Sequence, residues 1–338
     1  MKTLKLDLNT GDYGNKIKTA GEILKNGGIV AIPTETVYGL AASAYNDTAV
    51  ENVFKAKGRP QDNPLIVHIA DIEMLDSIAA EIPETAKKCA QLFWPGPFTM
   101  VLKRTDAVCK SVSAGLDTVA VRMPSNTVAR DIIRAAGIPL AAPSANISGY
   151  PSPTSGEHVI RDLDGKIDAV VIADNSTVGV ESTVVTLALD TPRLLRPGAV
   201  TLEQLRNVLP DITVDRAVLS QPEKDEKVAS PGMKYKHYSP KTDVFMVEGN
   251  AEQYAAFVNG KSGVAVGFDE DTGIKIPFMS YGKANDETTL AHNIFNVLRN
   301  LDDTDYKTAY VHAPSKTGVG LAVYNRLIRA AAFKVIKL

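Results

Sequence analysis

Short apolar runs alternate with amphipathic stretches along this chain, a pattern that predicts strands interleaved with helices. In the first two-thirds of the chain, the runs predicted as strands are Ile29–Ile32, Leu65–Ile69, Phe98–Leu102, Val119–Met123, Ile138–Ala142, Ala169–Ala173, Thr183–Leu189 and Arg193–Leu195. The stretches predicted there as helices are Lys16–Lys25, Thr48–Lys55, Pro83–Phe93, Asn126–Ala136, Glu157–Leu163 and Leu202–Leu209. Because several strands follow one another without a helix, the pattern favours a mixed sheet covered by helices over a strictly doubly wound one.

Cap and turn residues predict where several of these elements begin. Asn15 is expected to cap the first helix and Asp47 the second, since short polar side chains satisfy free N–H groups there. Thr201 and Gln204 have the spacing of a capping box. The segment Pro33–Leu40 is expected to form a turn off the end of the first strand.

The character of the sequence changes after about Asp211. Residues 215–229 are charged and lack periodicity, and Ser230–Pro240 is bracketed by prolines, which is typical of a linker. Beyond it, strand-like runs at Val244–Val247, Gly263–Phe268 and Ala309–His312 alternate with helical stretches at Glu252–Val258, Thr288–Asn300 and Leu321–Ala332. This alternation predicts a small βαβ-type domain. We therefore predict a first domain at 1–212, a linker at 213–241 and a second domain at 242–338.

Composition narrows the class of protein. The chain has 338 residues, of which 44% are hydrophobic and 22% charged, as in ordinary globular proteins of two domains. The net charge of −2 does not indicate binding to nucleic acid or to a membrane, so any site for a polyanion has to be local. Cys89 and Cys109 have no metal-binding spacing, and no apolar run reaches membrane length. We expect a cytoplasmic protein with reduced thiols, no membrane contact and no stable binding of nucleic acid.

The segment Lys57–His68 is the strongest candidate for chemistry. Lys57 and Arg59 flank Gly58, whose missing Cβ would let a ligand approach the backbone, and two prolines stiffen the loop that follows. A basic pair of this kind is more often a solvated turn. At the edge of a strand, however, it also suits a polyanion such as a triphosphate.

Four further polar features lie on predicted strands or at their ends. Thr34, Glu35 and Thr36 follow the first strand; His68 and Arg122 lie within apolar runs; Ser144 and Asn146 follow another strand. Hydroxyl groups after a strand often only cap a turn, and a lone histidine in a strand is more often structural than catalytic. An arginine in a buried strand requires an anionic partner, which could be a protein carboxylate or the carboxylate of a ligand.

Several common catalytic motifs do not occur in the sequence. Gly260-Lys261-Ser262 lacks the glycine that opens a phosphate-binding loop, and Gly318-Val319-Gly320 lacks the third glycine of a dinucleotide fingerprint. The five histidines show no metal-binding spacing, and the sequence contains no GxSxG motif. If ATP is used, it is used without a phosphate-binding loop of that type.

Six ordered motifs together resemble the YrdC-domain family of threonylcarbamoyl-AMP synthases. They are PTETVYGL at 33–40, KGRPQDNPL at 57–65, AVRMP at 120–124, APSANISGYPSPT at 142–154, ESTVV at 181–185 and LRPG at 195–198. The segment SPGMKYKHYSP at 230–240, followed by a second domain with GVGLAVYNRLIRAA, is similar to the long, two-domain form. The resemblance implies a three-layer first domain with a twisted mixed sheet and a smaller Rossmann-like second domain.

The resemblance also implies the reaction. ATP, L-threonine and bicarbonate would give threonylcarbamoyl-AMP and pyrophosphate, with Mg²⁺ on the phosphates and with the product passed to a tRNA-modifying threonylcarbamoyl transferase complex. The residues implied to bind threonine are Thr36, His68, Arg122, Ala142 and Ser182. Those implied to bind ATP are Lys57, Arg59, Asn63, Thr118, Ser144, Asn146, Ser152, Arg196 and Tyr235.

The catalytic contribution is expected from Lys57, Arg59 and His68, with no residue identified as a metal ligand. His68 could be a general base or could only bind substrate. Tyr235 of the linker would close over ATP as part of a lid. Two alternatives stay open: a module that grips RNA with a basic concave face, and a carbamoyltransferase that uses carbamoyl phosphate.

Overall fold

Two sheets organise the computed structural model, which describes residues 2–220 and 238–338. The first sheet has 11 strands and the second has five. The strands of the first sheet are β1 (Leu4–Asp7), β2 (Val30–Ile32), β3 (Gly39–Ser43), β4 (Ile66–His68), β5 (Phe98–Lys103), β6 (Thr118–Arg122), β7 (Leu140–Ala141), β8 (Ala169–Ile172), β9 (Thr183–Thr186), β10 (Arg193–Arg196) and β11 (Thr213–Val214).

Helices cover both faces of this first sheet. Their bounds are α1 (Tyr13–Lys25), α2 (Asp47–Lys57), α3 (Glu84–Phe93), α4 (Lys110–Ser113), α5 (Thr127–Ala136), α6 (Gly156–Leu163) and α7 (Leu202–Arg206). Apolar side chains of α1 and α5 form one core cluster with the sheet, whereas those of α2, α3, α6 and α7 belong to a cluster on its other side. The expected three-layer arrangement is therefore confirmed.

The strand order of the first sheet is β1-β8-β2-β3-β7-β4-β6-β5-β9-β10-β11, with parallel and antiparallel neighbours. The central strand β4 pairs parallel to β6 and antiparallel to β7, with His68 opposite both Arg122 and Leu140. The predicted mixed sheet is thus confirmed. Its register places the candidate residues His68 and Arg122 on adjacent strands.

The second sheet is parallel throughout and has the order β14-β13-β15-β12-β16. Its elements are β12 (Asp243–Glu248), α8 (Ala251–Val258), β13 (Val264–Gly267), β14 (Phe278–Ser280), α9 (Glu287–Leu301), β15 (Thr308–His312), α10 (Gly320–Ala330) and β16 (Val335–Lys337). The predicted βαβ character is confirmed. Within the parts of the chain at 2–220 and 238–338, no helix is long and apolar enough to cross a bilayer.

Several sequence-based assignments need correction. The first helix is capped by Asp12, three residues before the predicted Asn15, and the second is capped by Asn46 in place of Asp47. The predicted turn ends earlier than expected, because Gly39 and Leu40 already belong to β3. That strand contains only small and apolar residues and is buried on both faces, so it shows no alternation to mark it. The capping box of Thr201 and Gln204 is present.

The two sheets are not separated by solvent. Val37 and Val180 of the first part of the chain share one core cluster with Tyr238 and the helices α9 and α10. Two buried arginines of these helices, Arg299 and Arg326, reach carboxylates of the first domain, Asp162 and Glu181. The second domain therefore packs directly against the region that carries the candidate residues.

Candidate active site

A pocket lies over one face of the first sheet. Alternation along β4 places Ile66 and His68 on that face, while Leu65, Val67 and Ile69 point into the main core. Ile66 joins Val101, Ala120, Val184 and Leu195 in a small apolar cluster beneath the pocket. The residues lining the pocket are Thr34, Thr36, Val37, Gly39, Lys57, Arg59, Ile66, His68, Arg122, Ala142, Pro143, Ser144, Asn146, Ser148, Gly149, Tyr150, Glu181, Ser182, Arg196 and Tyr238.

Arg122 is held by three groups of the protein. Its Nη2 atom lies 2.6 Å from Glu35 Oε1, its Nη1 donates to Thr36 Oγ1 at 2.8 Å, and its Nε donates to Gly96 O at 3.2 Å. Of the two anionic partners that the sequence left open for Arg122, the protein carboxylate is present, and it is that of Glu35. A guanidinium has five N–H groups, so these contacts leave donors for a second anion.

Glu35 completes this group of charges, and the sequence-based site did not include it. Its carboxyl is almost fully buried. Burial alone would raise the pKa of Glu35, but the Coulombic attraction of Arg122 and its hydrogen bond hold that pKa below its ordinary value. Glu35 is thus an anion that fixes Arg122 beside Thr36.

His68 lies in register with Arg122 and is only 4% exposed. Its Nδ1 atom lies 3.2 Å from the carbonyl of Ile66, which assigns the proton to Nδ1 and leaves the lone pair on Nε2. Burial, and secondly the nearby charge of Arg122, lowers the pKa of His68 to about 3. The ring is therefore a neutral hydrogen-bond acceptor near neutral pH and a weak base.

Lys57 ends α2 and is buried, not solvated as in a basic turn. Its ammonium donates to Ser144 O at 2.5 Å, to Asn146 O at 2.6 Å and to Asn146 Oδ1 at 3.4 Å. Burial lowers the pKa of Lys57 well below its usual value, and the charge of Arg59 lowers it further. Lys57 therefore ties the end of α2 to the loop at 143–149, which lines the pocket.

Gly58 ends α2. Its φ of 61° lies in the left-handed region that ends helices, and an added Cβ would meet no protein atom within 4 Å. The close approach of a ligand at Gly58 stays a prediction. Gly58 turns the chain at the end of α2, which directs the half-buried Arg59 to the pocket.

A second arginine, Arg196 at the end of β10, faces the same pocket. It donates from Nε to Ser182 O at 3.0 Å and from Nη2 to Ser182 Oγ at 3.1 Å. Burial lowers the pKa of Arg196 to about 10, while the charge of Glu181 opposes this shift. The Ser182 hydroxyl also lies 2.8 Å from Thr99 Oγ1. The two predicted ligand residues Ser182 and Arg196 thus form one unit.

The remaining predicted residues fall into three groups. Ala142 and Ser144 line the pocket, as does Asn146, whose amide nitrogen donates to Ile147 O and Tyr150 O within its own loop. Residues that are absent from the lining are Asn63 and Ser152, both fully buried, and Thr118, which lies on the same face of β6 as Arg122 but four residues away. Tyr235 and the proposed closure of the linker lie outside the described residues.

Glu181 and Tyr238 line the pocket but were missed by sequence reasoning. Glu181 opens the ESTVV motif and is a carboxylate between two apolar runs, and these two features were the sequence signals for it. Tyr238 was seen only as part of a proline-bracketed linker. It is 5% exposed, and Arg326 lies over its ring with 5.8 Å to the centroid.

The pocket offers no ready set of metal ligands. Among residues 2–220 and 238–338, no three His, Cys, Asp or Glu side chains come together as a metal site. Glu181, which lines the pocket, is engaged by Arg326, and the neighbouring Glu35 is engaged by Arg122. Because Mg²⁺ is commonly held by one or two carboxylates together with substrate phosphates, these residues fit Mg²⁺ only as a companion of a polyphosphate.

Comparison with known proteins places this site in context. Residues 22–198 match the Sua5/YciO/YrdC family model, which carries the description "telomere recombination", and residues 200–332 match the model "threonylcarbamoyl-AMP synthase, C-terminal domain". Threonylcarbamoyl-AMP synthase of Bacillus subtilis is 43% identical, with 98% of this chain and 96% of the relative covered. That of Pyrococcus abyssi is 42% identical, with coverages of 95% and 96%. The crystal structure of P. abyssi Sua5 complexed with L-threonine superposes with a TM-score of 0.90 at 40% identity, covering both chains completely.

Proposed function

This chain belongs to the threonylcarbamoyl-AMP synthase family, and from that premise we propose that it converts ATP, L-threonine and bicarbonate into threonylcarbamoyl-AMP and pyrophosphate. It is a two-domain transferase of the nucleotidyltransferase type. We propose threonine as the amino acid because the similar P. abyssi structure is described as complexed with L-threonine.

One observation supports this proposal most strongly: a single pocket joins two cationic groups. Arg122 with Thr36 and His68 forms one group; Arg59 and Arg196 also line the pocket, and we take them together as the second. A guanidinium fork matches the carboxylate of an amino acid, whereas a half-buried arginine near a helix end suits a polyphosphate. We assign threonine to the first group, together with Ala142 and Ser182, and ATP to the second.

The proposed chemistry has two steps. The amine of threonine attacks carbon dioxide, formed from bicarbonate, and loses a proton to give the carbamate. A carbamate oxygen then attacks the α-phosphorus of ATP, forming a P–O bond while the bond to pyrophosphate breaks. The protein contributes mainly by holding both substrates and by neutralising charge.

Within this scheme His68 binds and does not act as the base. Its free Nε2 lone pair would accept a hydrogen bond from the ammonium or hydroxyl group of threonine. A group with a pKa of about 3 is a poor acceptor for a proton near neutral pH. Of the two roles implied for His68, we therefore propose threonine binding alone and no catalytic role.

We propose that Mg²⁺ binds together with ATP and is not held by the protein on its own. The carboxylates of Glu35 and Glu181 are already paired with arginines. The ion would then be held by phosphate oxygens and water, and it would neutralise charge on the phosphates.

The alternatives are less well supported. An RNA-gripping module would need cations spread over an exposed face, but Lys57, Arg122 and Arg196 are buried in a pocket. The relatives are named for adenylate synthesis, which disfavours a carbamoyltransferase that uses carbamoyl phosphate. We further propose a cytoplasmic location and delivery of the product to a tRNA-modifying threonylcarbamoyl transferase complex.

Pyrophosphate release tests this proposal. Release from Mg²⁺–ATP should require L-threonine and bicarbonate together, because the carbamate is the nucleophile. Replacing bicarbonate by carbamoyl phosphate should give no release. Equal release without threonine, or full activity with carbamoyl phosphate, would contradict the assignment.

A further inference from the structure

The second domain contributes one buried side chain to the edge of the pocket. Arg326, on α10, is fully buried. Its Nε donates to Glu181 Oε2 at 2.8 Å, its Nη2 to Glu181 O at 3.2 Å and its Nη1 to Pro197 O at 2.9 Å. One guanidinium therefore binds two separate segments of the first domain, at 181 and at 197.

These two segments carry residues assigned to the ligands. Ser182 follows Glu181, Arg196 precedes Pro197, and the two are joined by the bonds from Arg196 to the carbonyl and hydroxyl of Ser182. The segments also approach very closely, because a Cβ at Gly198 would lie 2.4 Å from Thr183 N. Arg326 thus holds together, from the second domain, two segments that already pack closely against each other.

Glu181 also connects this junction to Ser152, a third residue implied to bind ATP. Its Oε1 atom accepts a hydrogen bond from Ser152 Oγ at 2.5 Å, while Oε2 is taken by Arg326. Burial alone would raise the pKa of Glu181, but Arg326, then Arg196 and Ser152, hold that pKa below its usual value. Without Arg326, this pocket-lining anion would lose its direct ionic partner and would repel the phosphates of ATP.

We propose that Arg326 of the second domain is a positioning residue of the active site, which neutralises Glu181 and fixes the Ser182–Arg196 junction for ATP. Through Arg326, the second domain then helps to set the charge and the geometry of the pocket. Arg326 touches no substrate in this account. The proposal rests on the proposed function, since it assigns ATP to this side of the pocket.

The chain offers a matched control in Arg299. This arginine also reaches from the second domain to a buried carboxylate, with Nη2 at 2.7 Å from Asp162 Oδ2, and it also binds a backbone carbonyl, that of Pro151. Neither Arg299 nor Asp162 lines the pocket. Arg299→Met therefore removes a comparable interdomain ion pair without leaving an unpaired charge at the pocket.

The experiment measures ATP affinity by calorimetry and steady-state turnover on the full chain, with thermal unfolding as the measure of structural damage. Arg326→Met should raise the Kd for ATP at least about tenfold. Arg299→Met, at a similar loss of thermal stability, should change that Kd by less than about threefold. The double variant E181Q/R326M should recover most of the lost affinity, because the uncompensated charge is gone. A merely structural role would not produce this recovery.

Two results would overturn the inference: equal Kd values for Arg326→Met and Arg299→Met, or no recovery in the double variant. If Arg326→Met does not fold, Arg326→Lys is tested in its place, because the single nitrogen of a lysine cannot reach the separate positions that Nε, Nη1 and Nη2 of Arg326 occupy at segments 181 and 197. An Arg326→Lys enzyme with unchanged Kd and kcat would then contradict the proposal. Failure of the proposed function is distinguishable, since the unmodified chain itself would then form no threonylcarbamoyl-AMP.

Discussion

At the scale of single residues, the pocket is built from charges that are already paired with one another. Arg122 is paired with Glu35, and Arg326 with Glu181. Such pairs contribute little net stability, but removing one partner leaves a buried charge and is costly. A substitution at these positions therefore has two effects, one on the fold and one on the ligand, and the two have to be measured separately.

Arg122 allows this separation. Arg122→Gln should cost about 3–5 kcal/mol of unfolding free energy, because Glu35 is left buried and unpaired, and it should abolish threonine binding. The double variant E35Q/R122Q should regain much of the stability but none of the threonine affinity. Chemical denaturation and calorimetry with L-threonine are the measurements. Threonine binding by the double variant would show that Arg122 does not hold the carboxylate.

His68 should give the stability a characteristic dependence on pH. Its pKa is lowered from 6.5 to about 3 in the folded protein, so the unfolded chain takes up a proton below pH 6.5 that the folded chain refuses. Between pH 7 and pH 5 this should remove up to about 2 kcal/mol of unfolding free energy.

Urea denaturation at the two pH values measures this loss, and His68→Gln is the comparison. In that variant the loss of stability on acidification should be smaller by a similar amount. An unchanged pH dependence would mean that His68 titrates normally in the folded chain.

At the scale of elements, the sequence predicted best where the local signal was strong. The helix Thr127–Ala136 has a clear apolar face, a capping Asn126 and a closing Gly137, and it was placed within one residue. The strand Gly39–Ser43 was partly mistaken for a turn because buried small residues show no period. Thr36, His68, Arg122 and Ser182, which the motif resemblance implied as threonine-binding residues, all line one pocket.

What the sequence could not show were the partners of those residues. Glu35 and Arg122 are 87 positions apart, and Glu181 and Arg326 are 145 apart, so only the fold brings them together. The sequence held one local indication of such a partner, the presence of an arginine in a largely apolar helix. Arg326 lies with one asparagine and one other arginine in a helix whose other residues are mostly apolar, and a buried arginine requires an anion somewhere else in the chain.

Lys57 joins the end of α2 to the loop at 143–149 through its hydrogen bonds. Lys57→Met should lower both stability and ATP affinity, because each lost hydrogen bond to a charged group is worth about 1.5–3 kcal/mol. Arg59→Met should lower ATP affinity with a smaller loss of stability than Lys57→Met, since Arg59 is half-buried whereas Lys57 is buried. Thermal unfolding and ATP calorimetry on both variants check this. Identical effects would mean that Lys57 is a simple phosphate ligand.

At the scale of the whole molecule, the two sheets share one core. Val37, Val180 and Tyr238 pack with the helices of the second domain, and buried arginines cross the boundary. Domains joined in this way should unfold together. Scanning calorimetry should therefore show a single transition whose calorimetric and van't Hoff enthalpies agree. Two separated transitions would show that the interface is weak.

The central claim is that this pocket makes threonylcarbamoyl-AMP, and product analysis tests it most directly. The full chain would be incubated with Mg²⁺–ATP, L-threonine and ¹³C-labelled bicarbonate, and the products separated and identified by mass spectrometry. We expect one new nucleotide that contains AMP, threonine and a single labelled carbon, formed in step with pyrophosphate. A nucleotide that lacks the labelled carbon, or pyrophosphate released with no threonine-containing product, would contradict it.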